Sequence, residues 1–119
     1  MSDTALVVTN EGNVPEDLGL RIKDEDDKGE WTCGPLPVAL NQYVLWCRLC
    51  EDGDIMNSND LTTSVQWCDG TNFSGGGNDM AAAASENMWF SFKAPSSVSG
   101  EHAADPHIIT VEVSCREAE

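Results

Sequence analysis

Three groups of residues have the types and spacing that chemistry requires. "QYVLWCRLC" (residues 42–50) sets Cys47 and Cys50 three apart, the spacing of zinc knuckles and dithiol redox motifs. "DEDDKGEW" (24–31) opens like a calcium loop, with Asp24, Asp26 and Gly29 at usable positions, and "EDGDIMNSND" (51–60) adds Asp52, Asp54, Asn57, Asn59 and Asp60. "HAADPH" (102–107) puts His102, Asp105 and His107 in one turn, a set able to hold a metal ion.

Each group also has a plainer reading. A CxxC that grips an ion needs a turn or a helix start, whereas Tyr43, Val44, Leu45 and Trp46 are strand formers. In a strand, residues three apart lie about 10 Å apart and point to opposite faces, beyond the roughly 7 Å that a disulfide tolerates between Cα atoms. No second CxxC follows, so two independent strand cysteines are expected. The EF-hand match fails at its fifth position, Lys28, and at its twelfth, Pro35, where a bidentate Glu is required. What remains is a loose calcium loop or a solvated acidic surface, with Asp24, Asp26, Asp52, Asp54 and Asp60 as the calcium candidates. Two loop histidines are usually just exposed. Gly75 to Gly77 has no following Gly-Lys-Ser/Thr and is no phosphate loop, and Asn72-Phe73-Ser74 matches a glycosylation acceptor. Nothing pairs a nucleophile with a base or places two carboxylates for acid–base work, so the chain does not read as an enzyme.

The elements that must position these residues are short and mostly of period two. "TALVVT" (4–9), "DLGLRIK" (17–23), "QYVLWCRLC", "LTTSVQWC" (61–68), "NMWFSFK" (87–93) and "HIITVEVSC" (107–115) alternate or carry strand formers, and Gly, Pro, Asn and Asp cluster between them. "MAAAASE" (80–86) is the one helix-friendly run and supplies at most one short helical turn. Six to eight short strands without a long helical period indicate an all-β, immunoglobulin-like antiparallel β-sandwich. At 119 residues the chain fits one domain that removes roughly two-thirds of its unfolded surface from water, with 1–3 and 116–119 expected to fray or to take part in subunit contacts.

Charge limits the partners. Twenty-one acidic residues against six basic ones give a formal charge of -15, which argues against nucleic acid and anionic membrane surfaces. Mutual repulsion makes association of copies depend on salt or divalent cations unless the carboxylates point away from the contacts. No stretch approaches the roughly 18 to 20 apolar residues that span a bilayer. Met1 to Thr4 lacks the character of a secretory leader. Five cysteines nevertheless favour an oxidising compartment, so an extracellular or cell-surface location, with the leader removed, is expected.

Alternation sorts side chains by face. Tyr43, Leu45, Cys47 and Leu49 should point to the core and Val44, Trp46, Arg48 and Cys50 outward; in the next segment Val65 and Trp67 should point in and Cys68 out. Cys50 and Cys68 can then meet on an outer face, closing a loop that stabilises by roughly 3 kcal/mol. Cys115, on the face of Val111 and Val113, could reach Cys47 inside. Cys33, in a loop, is left as a free or intersubunit thiol. The outward pair Val44 and Trp46 is a seed for an interface, unless a loop folds over it.

"VVTNEGNVPEDLGLRI" (7–22), "QYVLW" (42–46), "ENMWFSFKAPSSVS" (86–99) and "HIITVEVS" (107–114) together resemble the exported immunoglobulin-like subunits of prokaryotic surface fibres, similar in broad outline to camelysin and TasA-type matrix fibre proteins. The resemblance implies a structural protein that polymerises with copies of itself into an extracellular filament or surface layer, often by lending a strand to the next subunit's sheet. With three residues ahead of the first alternating segment, the donor would have to be "TALVVT" or "HIITVEVSC". The five cysteines depart from that pattern and imply covalent reinforcement. Two alternatives stay open: a monomeric calcium-dependent binding or viral decoration module, and a cysteine-based metal or redox protein.

Overall fold

A computed structural model describes residues 5–49, 59–69, 73 and 76–118. The alternating segments become β1 (Leu6–Thr9), β2 (Glu16–Asp24), β4 (Gln42–Leu49), β7 (Ser85–Lys93) and β8 (Thr110–Glu117), with two-residue strands β3 (Thr32–Cys33), β5 (Asn59–Asp60) and β6 (Gln66–Trp67) between them. One sheet runs β1-β7-β4-β3, with β5 also paired to β4, and the other runs β6-β2-β8. Every pair is antiparallel except β3 with β4, where Thr32 stands opposite Gln42 in parallel. The chain is therefore all-β, two sheets of mainly antiparallel strands. The expected helical turn near 80–86 does not form. Ala83 adopts φ 69°, the Ala84 amide donates to the Ala81 carbonyl at 3.0 Å, Met80 bridges to Glu16, and Ser85 already begins β7. Seven residues cannot sustain a helix alone, and this run serves as a tight turn.

The core forms where the inner faces meet. Leu18, Leu20 and Ile22 of β2 pack with Tyr43, Leu45, Cys47 and Leu49 of β4, Met88 of β7, and Leu61, Cys68 and Phe73 from the connections. Asn10, in the "TNEGN" turn, is buried and stitches β1–β2 to the 80–84 turn: its Nδ2 donates to the carbonyls of Val14 and Met80 at 2.8 and 2.9 Å, and its Oδ1 accepts the Gly12 amide at 2.9 Å.

Several facing assignments are corrected. The outer side of β4 is covered: Val44 is 0% and Arg48 6% exposed, and Trp46 is half-buried. β4 has β7 along one edge and β3 and β5 along the other, and the low exposure of Val44 and Arg48 shows that its outer face is covered too, so Val44 offers no interface. In 65–68 the polarity is reversed. Val65 is exposed, Cys68 is buried, and Trp67 lies over the outer face of β2 at Gly19, where an added Cβ would stand 2.7 Å from the indole. A side chain there would deny the indole its seat. Arg116 closes over the ring at 4.3 Å. Cys33 sits in β3, not in a loop. The tail through Ala118 is paired rather than frayed: Glu16 and Asp17 stand opposite Glu117 and Arg116, and the Ala118 amide donates to the Pro15 carbonyl at 3.0 Å. Residues 1–3 and 119 lie outside the described residues.

The two flanks of the sandwich differ. On one, residues 59–68 cross from sheet to sheet. Asp60 pairs with Trp46 and the Leu61 amide donates to the Leu45 carbonyl at 2.8 Å. The Thr62 carbonyl then accepts the Ile22 amide at 2.7 Å, and the Cys68 amide donates to the Leu18 carbonyl at 2.8 Å. That leaves β1 and β8 as the sheet edges on the opposite flank, where β8 has no strand on its far side among the described residues. Val113 and Cys115 stand opposite Leu20 and Leu18, hence on the core face. Yet Val113 is 42% exposed and Cys115 is exposed; Leu6, opposite the buried Met88, is 62% exposed. The core face runs on past its cover.

Candidate functional site

Among the described residues, a dense polar cluster lies where the β2–β3 loop meets the run into β8. Asp26 to Gly29 form a turn with Asp first and Gly fourth, closed by the Gly29 amide on the Asp26 carbonyl at 3.0 Å, with Gly29 at φ +73°. This turn aims the Asp26 carboxylate inward. Its Oδ1 accepts the Lys28 amide at 3.1 Å and His107 Nδ1 at 2.8 Å; its Oδ2 accepts the amides of Glu30 and Trp31, both at 2.9 Å. All four lone-pair positions are filled. Burial alone would raise the Asp26 pKa, but these donors outweigh it and hold it far below the usual carboxylate range.

His107 is the other half. Its Nε2 donates to the His102 carbonyl at 3.0 Å, its ring stacks on Trp31 at 4.1 Å between centroids and 11° between planes, and its side chain is 3% exposed. Asp27 ties down the next residue: it donates its amide to the Ile108 carbonyl at 3.1 Å and accepts the Ile108 amide on Oδ1 at 2.9 Å. That amide and the Lys28 ammonium, 3.0 Å away, lower the Asp27 pKa. Asp26, Asp27 and His107 offer three ligand atoms within 4.8 Å of one another. Those atoms are already committed to hydrogen bonds, however, and a cation would have to displace them beside Lys28.

Two shallow clefts adjoin this cluster. One of about 380 Å³ has Glu25, Cys33, Asp60, Leu61 and Thr63 among its walls; a second of about 310 Å³ shares Glu25 and Thr63 and adds Lys23, Asp24 and Trp31. Glu25 is positioned by the Cys33 amide, which donates to its Oε2 at 2.7 Å, and by Tyr43, whose hydroxyl donates to its carbonyl at 2.9 Å. Burial and then Glu25 push the Cys33 thiol up to about 11, so it stays protonated at neutral pH and is a poor nucleophile.

The other thiols are similar. Burial pushes Cys47 and Cys68 up to about 12, and Glu16 raises Cys115. All four described cysteines are free. The expected Cys47 to Cys115 bond is absent because Cys47 lies deep under the sheets, opposite Phe90, while Cys115 stands at the exposed end of β8. Cys50, the expected partner of Cys68, lies outside the described residues, as do Asp52, Asp54, Asn57, Asn72 and Ser74. Of the calcium candidates, Asp24 is exposed, Asp60 lines the larger cleft, and Asp26 is consumed by its own loop. The "HAADPH" group is divided: His102 Nδ1 pairs with exposed Asp105 at 2.9 Å, and His107 turns inward to Asp26.

Sequence reasoning missed the pairing of Asp26 with His107 across 81 positions. The turn signature Asp26 to Gly29 was visible and marks Asp26 as a loop organiser. No family model, curated protein or solved structure matches the chain.

Proposed function

We propose that this chain is a structural β-sandwich subunit that associates with copies of itself along its open flank, edge to edge, to build an extracellular filament or surface layer. The observation that carries this reading is β8: eight residues whose far edge meets no strand among the described residues, with core-face side chains Val113 and Cys115 left exposed. A long open edge beside apolar side chains is a template for another strand, unless charge or a covering segment blocks it.

Charge supports this choice of surface. Repulsion between copies at -15 opposes contact almost everywhere, but the β2–β8 face carries Arg21, Lys23 and Arg116, three of the six basic residues. Glu112 lies 2.9 Å from Arg21 and 3.9 Å from Lys23, and Arg116 lies 3.9 Å from Asp17. Carboxylate charge is thus compensated beside the open edge. Cys115 is the exposed thiol among the described cysteines, and a disulfide between copies would fall there in an oxidising compartment. The calcium-module reading gains nothing from Asp26, whose oxygens are occupied, and the thiol-chemistry reading gains nothing from the described cysteines, whose raised pKa values keep them protonated.

Negative-stain electron microscopy of the purified protein, at low and high salt and with and without reductant, tests the reading. Filaments or sheets that lengthen as salt screens repulsion support it, and dispersed particles under every condition overturn it.

A further inference from the structure

The run into β8 is held by the Asp26–His107 pair, and the protonation state of that pair follows from its partners. Nε2 faces a carbonyl oxygen and Nδ1 a carboxylate oxygen. Neither partner has a proton to give, so both ring nitrogens donate and the ring is an imidazolium. A neutral ring would set a lone pair against one of those oxygens, in a site where the ring is almost wholly buried.

We propose that Asp26 and His107 form a proton-dependent latch on the strand edge through which copies associate: protonated, it fixes the run into β8, and deprotonated, it releases that run. The effect on association rests on the reading above; the latch itself does not.

The surrounding groups favour the charged ring. The β2–β3 loop presents Asp26, Asp27 and Glu30, with Trp31 under the ring; Lys28 is taken up by Asp27 at 3.0 Å. The stretch before β8 presents the His102 carbonyl, while the His102 ring is engaged with Asp105 at 2.9 Å. Burial alone would lower the His107 pKa; the Asp26 carboxylate, the His102 carbonyl and the charge of Glu30 outweigh it and hold it above its ordinary value. The direction sets the window. A raised folded-state pKa means the latch contributes fully below about pH 6.5 and loses its contribution as pH climbs through the raised value. Asp26, depressed, sets the acid side: its contribution is fully present above about pH 4 and is lost only as pH falls through its own, much lower pKa. The latch consequently reaches its target, since Asp27 holds both the amide and the carbonyl of Ile108, two residues before β8.

Histidine ¹⁵N NMR on dilute, low-salt protein decides the matter, with the His102→Gln variant fixing the assignment and sedimentation velocity run in parallel. At neutral pH both His107 ring nitrogens should be protonated and the midpoint should lie above about 6.5. Above that midpoint the latched population should fall about tenfold per pH unit, and association should weaken over the same range. Asp26→Asn should bring the midpoint down to about 6.5 or lower; if that variant does not fold, the wild-type ring signals decide alone. A neutral ring at pH 7, or displacement of the His107 signals by calcium or zinc alone, overturns the latch. A titrating latch beside pH-independent association overturns its regulatory role only, and no association at any salt overturns the parent reading while the midpoint still judges the latch.

Discussion

Leu20 and Val113 are cross-strand neighbours on one face of one sheet, yet Leu20 is fully buried and Val113 is 42% exposed. Their chemistry is nearly the same; their flank is not. Leu20 lies beneath residues 59–68, which hydrogen-bond first to β4 and then to β2 and so seal one side of the sandwich. Val113 lies on β8, where the opposite side is left between two sheet edges. A sealed flank converts apolar side chains into stability, whereas an open flank leaves the same kind of side chain available to another chain.

The comparison can be broken at matched positions. Leu20→Ala should destabilise by about 2–5 kcal/mol, because it empties a filled core site, whereas Val113→Ala should change stability by no more than about 0.5 kcal/mol while weakening association. Chemical denaturation of dilute protein reads the first effect and sedimentation velocity the second. Equal losses of stability would mean that the open flank is covered in solution. Gly19→Val comes next, at about 1–3 kcal/mol, since a Cβ would meet Trp67 at 2.7 Å. A red-shifted tryptophan emission should accompany it as the indole leaves its seat.

Thiol reactivity sharpens the same contrast without mutation. Under native conditions a thiol-specific reagent should label Cys115 first and Cys33 slowly, with Cys47 and Cys68 reacting only on unfolding. Rapid native labelling of Cys47 would contradict the sealed core. The smallest effect is ionic. Raising salt from about 0.01 to about 1 M shortens the screening length from about 30 to about 3 Å, and should promote association while moving the unfolding midpoint little, because the exposed ion pairs are weak and the buried Asp26–His107 pair is little screened.

Period-two patterning located the long strands well. Leu18, Leu20 and Ile22 do line the core, as do Tyr43, Leu45, Cys47 and Leu49. Facing failed where alternation carries no information about cover. Val44 and Arg48 have the pattern of an outer face, but their low exposure shows that this face of β4 is covered as well. Trp67 and Cys68 were inverted because the larger apolar side chain was given the interior, whereas Gly19 opens a seat for the indole outside. The polar cluster was only half legible. The turn Asp26 to Gly29 has a local signature, but its partner His107 is set by the tertiary fold, and proximity in sequence grouped that histidine with His102 and Asp105 instead.

Hydrogen exchange of the β8 backbone amides, compared between dilute and concentrated protein, tests the central claim most directly. If copies add strands at this edge, those amides of Thr110–Glu117 that do not bond to β2 should become protected as concentration rises, and Val113→Lys should abolish the gain by placing a charge on the open face. Association with unchanged exchange along β8 would contradict the account.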